Sequence, residues 1–189
     1  MRSGPLAGRE VPFDVPLDDL VGPLDRGDRE AILAGIEGVS SAANLQPWHV
    51  QVLDADAVAA AAAHALDALG RPTPNHRGRA LRDVPWVLVV SMDVGRAKAR
   101  FGERGAHLFG VQDVAVACSE LRRAAWRRGV ASHWVREMAW GAVGETLGLS
   151  PRRRPQALLA FGRPAPGAAL EPPPSLRWRD VVDATGGEV

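Results

Sequence analysis

A single cysteine, Cys118, stands in the 189 residues, so no internal disulfide can brace the chain and the fold must rest on a buried core. A lone thiol fits a reducing compartment, and the cytoplasm is the expected location. Long apolar runs are missing as well. The alanine-rich stretch at residues 57–63 falls far short of the roughly 18 residues a membrane-spanning helix needs, and Asp54, Asp56, His64 and Asp67 surround it. The first twelve residues mix Arg, Gly, Pro and Glu and do not read as a secretory leader. Net charge is only +1, which denies the molecule a strong overall field toward nucleic acid or a membrane surface.

Several chemical signatures are absent too. Neither G-x-x-x-x-G-K-[ST] nor G-x-G-x-x-G occurs, which argues against a nucleotide held in a P-loop or a Rossmann crevice. There is no G-x-S-x-G, and Ser119 falls in mid-helix rather than on a strand-to-helix turn, so a Ser-His-Asp hydrolase finds no support. His49, His64, His76, His107 and His133 are scattered without the i, i+4 spacing of a helical metal site. No metal is expected.

What is present suffices for one domain. Apolar residues make up 46% of the chain, enough to form a core at this length. We divide it into an arm over residues 1–22, a folded domain over 23–182 and a tail over 183–189. The arm is rich in Gly, Pro and Asp, with one helical turn expected near 17–21. Asp28 is placed to cap a helix over 29–37 that sets Ile32, Leu33 and Ile36 on one face before Gly38. A strand follows over 49–53, then a helix over 57–69 capped by Asp54 or Asp56 and stopped by Gly70 and Pro72. Residues 71–82 read as loop, broken by Pro72, Pro74, Asn75 and Gly78. The run VPWVLVVSM at 84–92 reads as a strand covered on both faces. Residues 110–128 carry helical periodicity through Val111, Val114, Ala115, Cys118, Leu121, Ala124 and Ala125, with Gly129 at the stop. Extended chain over 130–135, a helix over 140–147 and a strand over 156–162 complete a helix-rich α+β domain around a buried sheet.

Arginine is concentrated late in the chain. Arg122, Arg123, Arg127, Arg128, Arg136, Arg152, Arg153 and Arg154 face only Glu137 and Glu145 over that span. Two readings stay open, a solvated helix face or a surface that receives an anion such as a cofactor or substrate phosphate. No aromatic stacking motif accompanies the arginines, which disfavours nucleic acid.

Residues 39–48, VSSAANLQPW, gather small side chains, hydroxyls, two amides and an indole between a helix and a strand. Small residues let backbone N–H groups approach a planar ring, and Ser41, Asn44 and Gln46 supply the directed hydrogen bonds that a heteroaromatic edge requires. A capped loop over a buried Trp48 would look the same. The segment resembles the A-P-S-x-x-N-x-Q-P-W signature of the nitroreductase family, with Val39 and Ser40 in place of the first Ala and Pro. Residues 113–134 are similar to the family's long central helix and the small-residue turn after it; the turn usually ends G-L-G-S-C-W and here reads Gly129-Val130-Ala131-Ser132-His133-Trp134. Leu147-Gly148-Leu149-Ser150-Pro151 and the run ALLAFGRP at 157–164 resemble the family's L-G-I-P turn and closing strand. A basic tail before Val181 and Val182 completes the order, and the likeness covers residues 23 to 182.

The resemblance implies a nitroreductase-like fold, a central and mainly antiparallel sheet flanked by helices, completed by homodimerisation around two FMN groups at the interface. It implies hydride transfer between NAD(P)H and a small nitro, quinone or enone acceptor, or dehydrogenation of a small substrate. Carried over by position, Ser41, Asn44 and Gln46 contact the flavin or its ribityl chain, and Trp48 packs the loop beneath the ring. Ser132 and His133 lie near the isoalloxazine, and Arg177 or Arg179 meets the phosphate. The chemistry belongs to the flavin, so no side-chain acid or base need be essential. One departure stands out. Relatives usually open with an Arg-Arg-Ser-x-Arg segment that clamps the phosphate, whereas this arm has Arg2, Ser3 and Arg9 at other spacings. That departure supports an alternative, a flavin-deficient protein of the same fold serving as a ligand-binding or partner subunit.

Overall fold

The computed structural model describes residues 12–67, 69–73, 77–168, 170–172, 174–175, 177 and 181. Its centre is β3 (Trp86–Asp93), in which every residue from Trp86 to Met92 is buried. Alternate residues of a strand point to opposite faces, and here both sets are apolar apart from Ser91. Val87 and Val89 enter one core, while Leu88, Val90 and Met92 enter the other. The sheet must therefore be covered by helices on both sides.

All strand pairings are antiparallel. β2 (Trp48–Leu53) pairs with β3, putting His49 opposite Ser91 and Trp48 opposite Met92. β3 pairs in turn with the long β5 (Arg153–Pro164), which also takes β4 (Ala131–Val135) and, at its end, the short β1 (Leu20–Gly22). The α+β domain read from the residues, with the mainly antiparallel sheet that the resemblance implies, is the architecture observed. β1 follows a single 3-10 turn, Leu17–Asp19, where one helical turn was expected.

The helices depart from expectation in instructive ways. α1 (Arg26–Leu33) is capped by Asp25, whose carboxylate accepts the Asp28 N–H at 2.7 Å. Asp28 is not the cap; it is 1% exposed and points inward to two arginines. α2 (Ala55–Ala62) is capped by Asp54, as one of the two expectations had it. It ends well before residue 69, because the following backbone pairs elsewhere: Leu66 donates to the Glu137 carbonyl, and the His64 carbonyl accepts from Ala139. Within the stretch read as loop lies α3 (Arg77–Arg82). Gly78 there acts as a contact rather than a breaker, since a Cβ would stand 2.8 Å from the Ala62 carbonyl oxygen.

α4 (Val94–Arg104) was not anticipated. Asp93 caps it by accepting the Arg96 N–H at 3.0 Å, and Gly102 kinks it at φ +56°. The chain then runs through a π turn, Gly105–Phe109, into α5 (Gly110–Arg127). Gly105 is where the π turn presses on α4, and a Cβ there would collide with the Ala97 carbonyl. Backbone cannot yield as a flexible side chain can. Gly105→Ala is expected to destabilise the fold by about 1–3 kcal/mol, read as a lowered thermal midpoint. An unchanged midpoint would mean that the two segments can separate freely. α6 (Trp140–Thr146) lies close to the expected span.

α5 buries Val114, Ala117, Cys118, Leu121 and Ala125. Val111, expected on that inner side, instead lies outward at 39% exposure. Burial pushes the Cys118 thiol up to about 12, which leaves it protonated and unreactive at neutral pH. Among the described residues no helix is long and apolar enough to cross a membrane.

Candidate functional site

The loop between α1 and β2 has unusual backbone. Ala43, Asn44 and Gln46 adopt φ of +50°, +54° and +45°, and they are the only non-glycine residues with positive φ among those described. Asparagine tolerates this region, whereas alanine and glutamine are much rarer in it. Such strain, about 1–3 kcal/mol per residue, persists only when the surroundings over-determine it.

Several contacts here supply that determination. The Ser41 hydroxyl accepts the Gln46 N–H at 2.9 Å, and the Ser41 carbonyl accepts the Asn44 N–H at 2.9 Å. The Gln46 side-chain amide donates to Asn44 Oδ1 at 2.9 Å, coupling the two amides. Arg96 donates to the Gln46 carbonyl at 3.2 Å, and Pro47 accepts the Asp93 N–H at 2.6 Å. From α5, Asp113 receives the Ala42 N–H at 3.1 and 3.2 Å on its two oxygens. Burial raises the Asp113 carboxyl above its ordinary value, and the Ala42 hydrogen bond opposes that shift. Trp48 is buried beneath the loop, in the core beside α1 and α5. The side chains of Asn44 and Gln46 lie exposed on the surface of the single chain.

Beyond Gln46 the rim is charged. Arg153 and Asp93 pair at 3.3 Å, and next to them His49 is held below its ordinary value, first by burial and then by Arg153. His49 thus stays neutral at neutral pH. Its Nδ1 and the Ser91 hydroxyl, opposite each other in register, are buried without partners.

Ser132 and His133 lie elsewhere. Ser132 is wholly buried, and its hydroxyl accepts from Arg122 Nε at 3.0 Å. His133 Nδ1 lies 2.9 Å from the Val15 carbonyl oxygen. Both belong to a knot around Asp14, which pairs with Arg122 at 2.7 Å and Arg136 at 3.1 Å and accepts the Trp134 N–H. From Asp113 to Arg122 is nine residues of α5, about 13 Å at 1.5 Å per residue. The structure therefore joins Ser41, Asn44, Gln46 and Trp48 in one place, and Ser132 and His133 in another. Arg177 is exposed, and Arg179 lies outside the described residues.

In the arginine cluster Arg127, Arg128, Arg136, Arg152 and Arg154 are exposed, as a solvated face would have them, but several are also tied to other elements. Arg122 is buried against Asp14, Arg128 pairs with Asp28, Arg136 stands 4.3 Å over the Trp134 ring, and Arg153 holds Asp93. These four fasten elements together. Sequence reasoning missed Asp113, Arg96 and Asp93 as supports of the loop. For Asp113 a signal existed, since it is the only charged residue in the apolar stretch 110–118.

The family model described as Nitroreductase family matches residues 22–163. The chain belongs to the nitroreductase family. Among solved structures, a nitroreductase family protein from Streptococcus pneumoniae TIGR4 superposes with a TM-score of 0.78 at 18% identity, covering 93% of this chain and 97% of that one. An FMN-dependent nitroreductase from Clostridium difficile R20291 gives 0.63 at 14%, covering 89% and 90%. An NADPH:FMN oxidoreductase from Vibrio harveyi, complexed with NAD+, gives 0.70 at 18%, covering 97% and 76%. At these identities the structures establish a shared nitroreductase fold. No curated protein matches the chain by sequence. Membership of the nitroreductase family supports a flavin oxidoreductase in general terms.

Proposed function

We propose that this nitroreductase-family protein is a homodimeric FMN oxidoreductase that moves hydride between NAD(P)H and a small nitro, quinone or enone acceptor, or dehydrogenates a small substrate. The observation that carries this reading is the strained loop over 41–48, whose two exposed amides are held in fixed orientation beside small side chains. Those residues fit a flat heteroaromatic edge, because directed donors and acceptors stand on a backbone that a planar ring can approach. FMN, when bound, supplies a two-electron carrier between donor and acceptor. The protein's share is to position it and keep water out: Ser41 fixes the loop, Asn44 and Gln46 bond the ring or ribityl chain, and Trp48 supports them from below. Ser132, buried and bonded to Arg122, does not itself touch the ring but anchors β4, from which His133 approaches the isoalloxazine. Arg177 or Arg179 meets the phosphate.

A second copy has a surface to cover. Leu108, Val111 and Val116 are 39–44% exposed on the outer side of the π turn and α5, with half-buried Ala115 between them. These residues belong to the same helical run that supports the loop through Asp113. Apolar surface of this kind marks interaction sites when it is contiguous.

The test is the absorbance spectrum of purified protein before and after adding FMN, followed by NAD(P)H under anaerobic conditions. Flavin bands that bleach with NAD(P)H are expected. A colourless protein that takes up no FMN would overturn the reading and favour the flavin-deficient partner subunit, to which the missing Arg-Arg-Ser-x-Arg arm points.

A further inference from the structure

We propose that Asp113 is a positioning residue for the flavin-binding loop: reaching from α5 to the Ala42 N–H, its carboxylate holds residues 42–46 in the left-handed conformation that presents the Asn44 and Gln46 amides. The flavin consequence rests on the function proposed above; the positioning of the loop does not.

Three observations converge. The loop is the only place among the described residues where non-glycine side chains sit at positive φ. Its internal hydrogen bonds span only a few residues, from Ser41 to Gln46, and could form in a loop that swings as a unit. Arg96 and the Asp93 N–H hold its far end, at Gln46 and Pro47. Asp113 is the tie at the near end, 71 residues away in sequence. A loop fixed at both ends cannot relax its left-handed residues by sliding one end. Both carboxylate oxygens lie within hydrogen-bonding distance of the single Ala42 N–H, so the side chain is committed to that group. A half-buried acid is unfavourable on its own, and the Ala42 N–H is the partner that offsets that cost.

The conservative pair Asp113→Asn and Asp113→Ala separates this role from general stability. Asparagine keeps an acceptor oxygen for Ala42, and alanine does not. Backbone amide exchange in the flavin-free protein should quicken roughly tenfold at Ala42, Asn44, Leu45 and Gln46 in D113A, stay near wild type in D113N, and be unchanged in β3 and the rest of α5. Unchanged loop exchange in D113A overturns the proposal, as does a uniform rise across the sheet and helix, which would make Asp113 a fold residue. In fluorescence titrations with FMN, D113A should bind roughly tenfold more weakly than wild type, with D113N within about twofold. Equal affinity of D113A and wild type overturns the link to cofactor. Failure of the wild-type protein itself to bind FMN instead overturns the proposed function, and the exchange measurement then still decides the positioning role.

Discussion

Replacing Arg128 and Arg163 together by alanine is expected to destabilise the protein by about 3–5 kcal/mol, because it leaves a buried carboxylate without a cation. Asp28 is 1% exposed. Arg128 Nε reaches one of its oxygens at 3.1 Å and Arg163 Nη2 the other at 2.5 Å, while Arg163 also donates to the Arg128 carbonyl at 2.6 Å at the end of α5. The burial is lopsided. The two arginine side chains are 48% and 40% exposed, so water can solvate them if the acid is lost, whereas the acid has no such recourse. Asp28→Ala should therefore be the milder change, near 1–2 kcal/mol, and removing the arginines in that background should add little. For a chain of this size the double arginine variant would melt roughly 6–20 °C lower. Equal losses from the arginine pair and from Asp28 alone would mean that the carboxylate is not the buried partner the geometry makes it.

Asp28 also shows what the sequence did and did not reveal. The start of a helix was readable from an aspartate near an apolar periodicity, but two aspartates three positions apart, Asp25 and Asp28, both qualify. Which of them caps depends on the arginines that come to meet the other from residues 128 and 163, and no local pattern encodes that meeting. β3 was legible for the opposite reason. Its run of apolar residues serves two cores at once, so the signal is redundant. The end of α2 and the presence of α3 were misread where distant backbone overrode local propensity: Ala65 bridges to Met138, and Gly78 lies against Ala62. α4 escaped notice because its kink at Gly102 and its polar face break the periodicity.

The candidate site was half legible. Small residues, two amides and an indole in ten positions pointed to the loop, and its hydrogen bonds link Ser41, Asn44 and Gln46 above the buried Trp48. Ser132 and His133 were carried over from the family's small-residue turn by position alone. Yet the strand that carries them turns the Ser132 hydroxyl inward to Arg122, a partner whose own burial is hidden until α5 is packed. Alternation along a strand decides such matters, and one residue of register reverses it.

Asn44→Ala combined with Gln46→Ala is expected to weaken FMN binding by roughly 100-fold, about 2.8 kcal/mol by the affinity relation. Each amide contributes one or two hydrogen bonds at roughly 1–1.5 kcal/mol apiece. The two amides also bond each other, so neither single variant leaves its partner as oriented as before, and the single effects should not add to the double. Asn44→Ala should exceed Gln46→Ala in one further respect. Both residues sit at positive φ, but only asparagine is at home there, so its loss adds backbone strain to the loss of the amide. Asn44→Gly, which removes the amide while relieving the strain, separates the two contributions. It should recover stability lost in Asn44→Ala without recovering flavin affinity. Fluorescence titration with FMN and thermal melts of the flavin-free variants measure the two quantities separately. A double variant that binds FMN as tightly as wild type would move the flavin away from this loop altogether, since no other described segment combines paired surface amides with a backbone so tightly held.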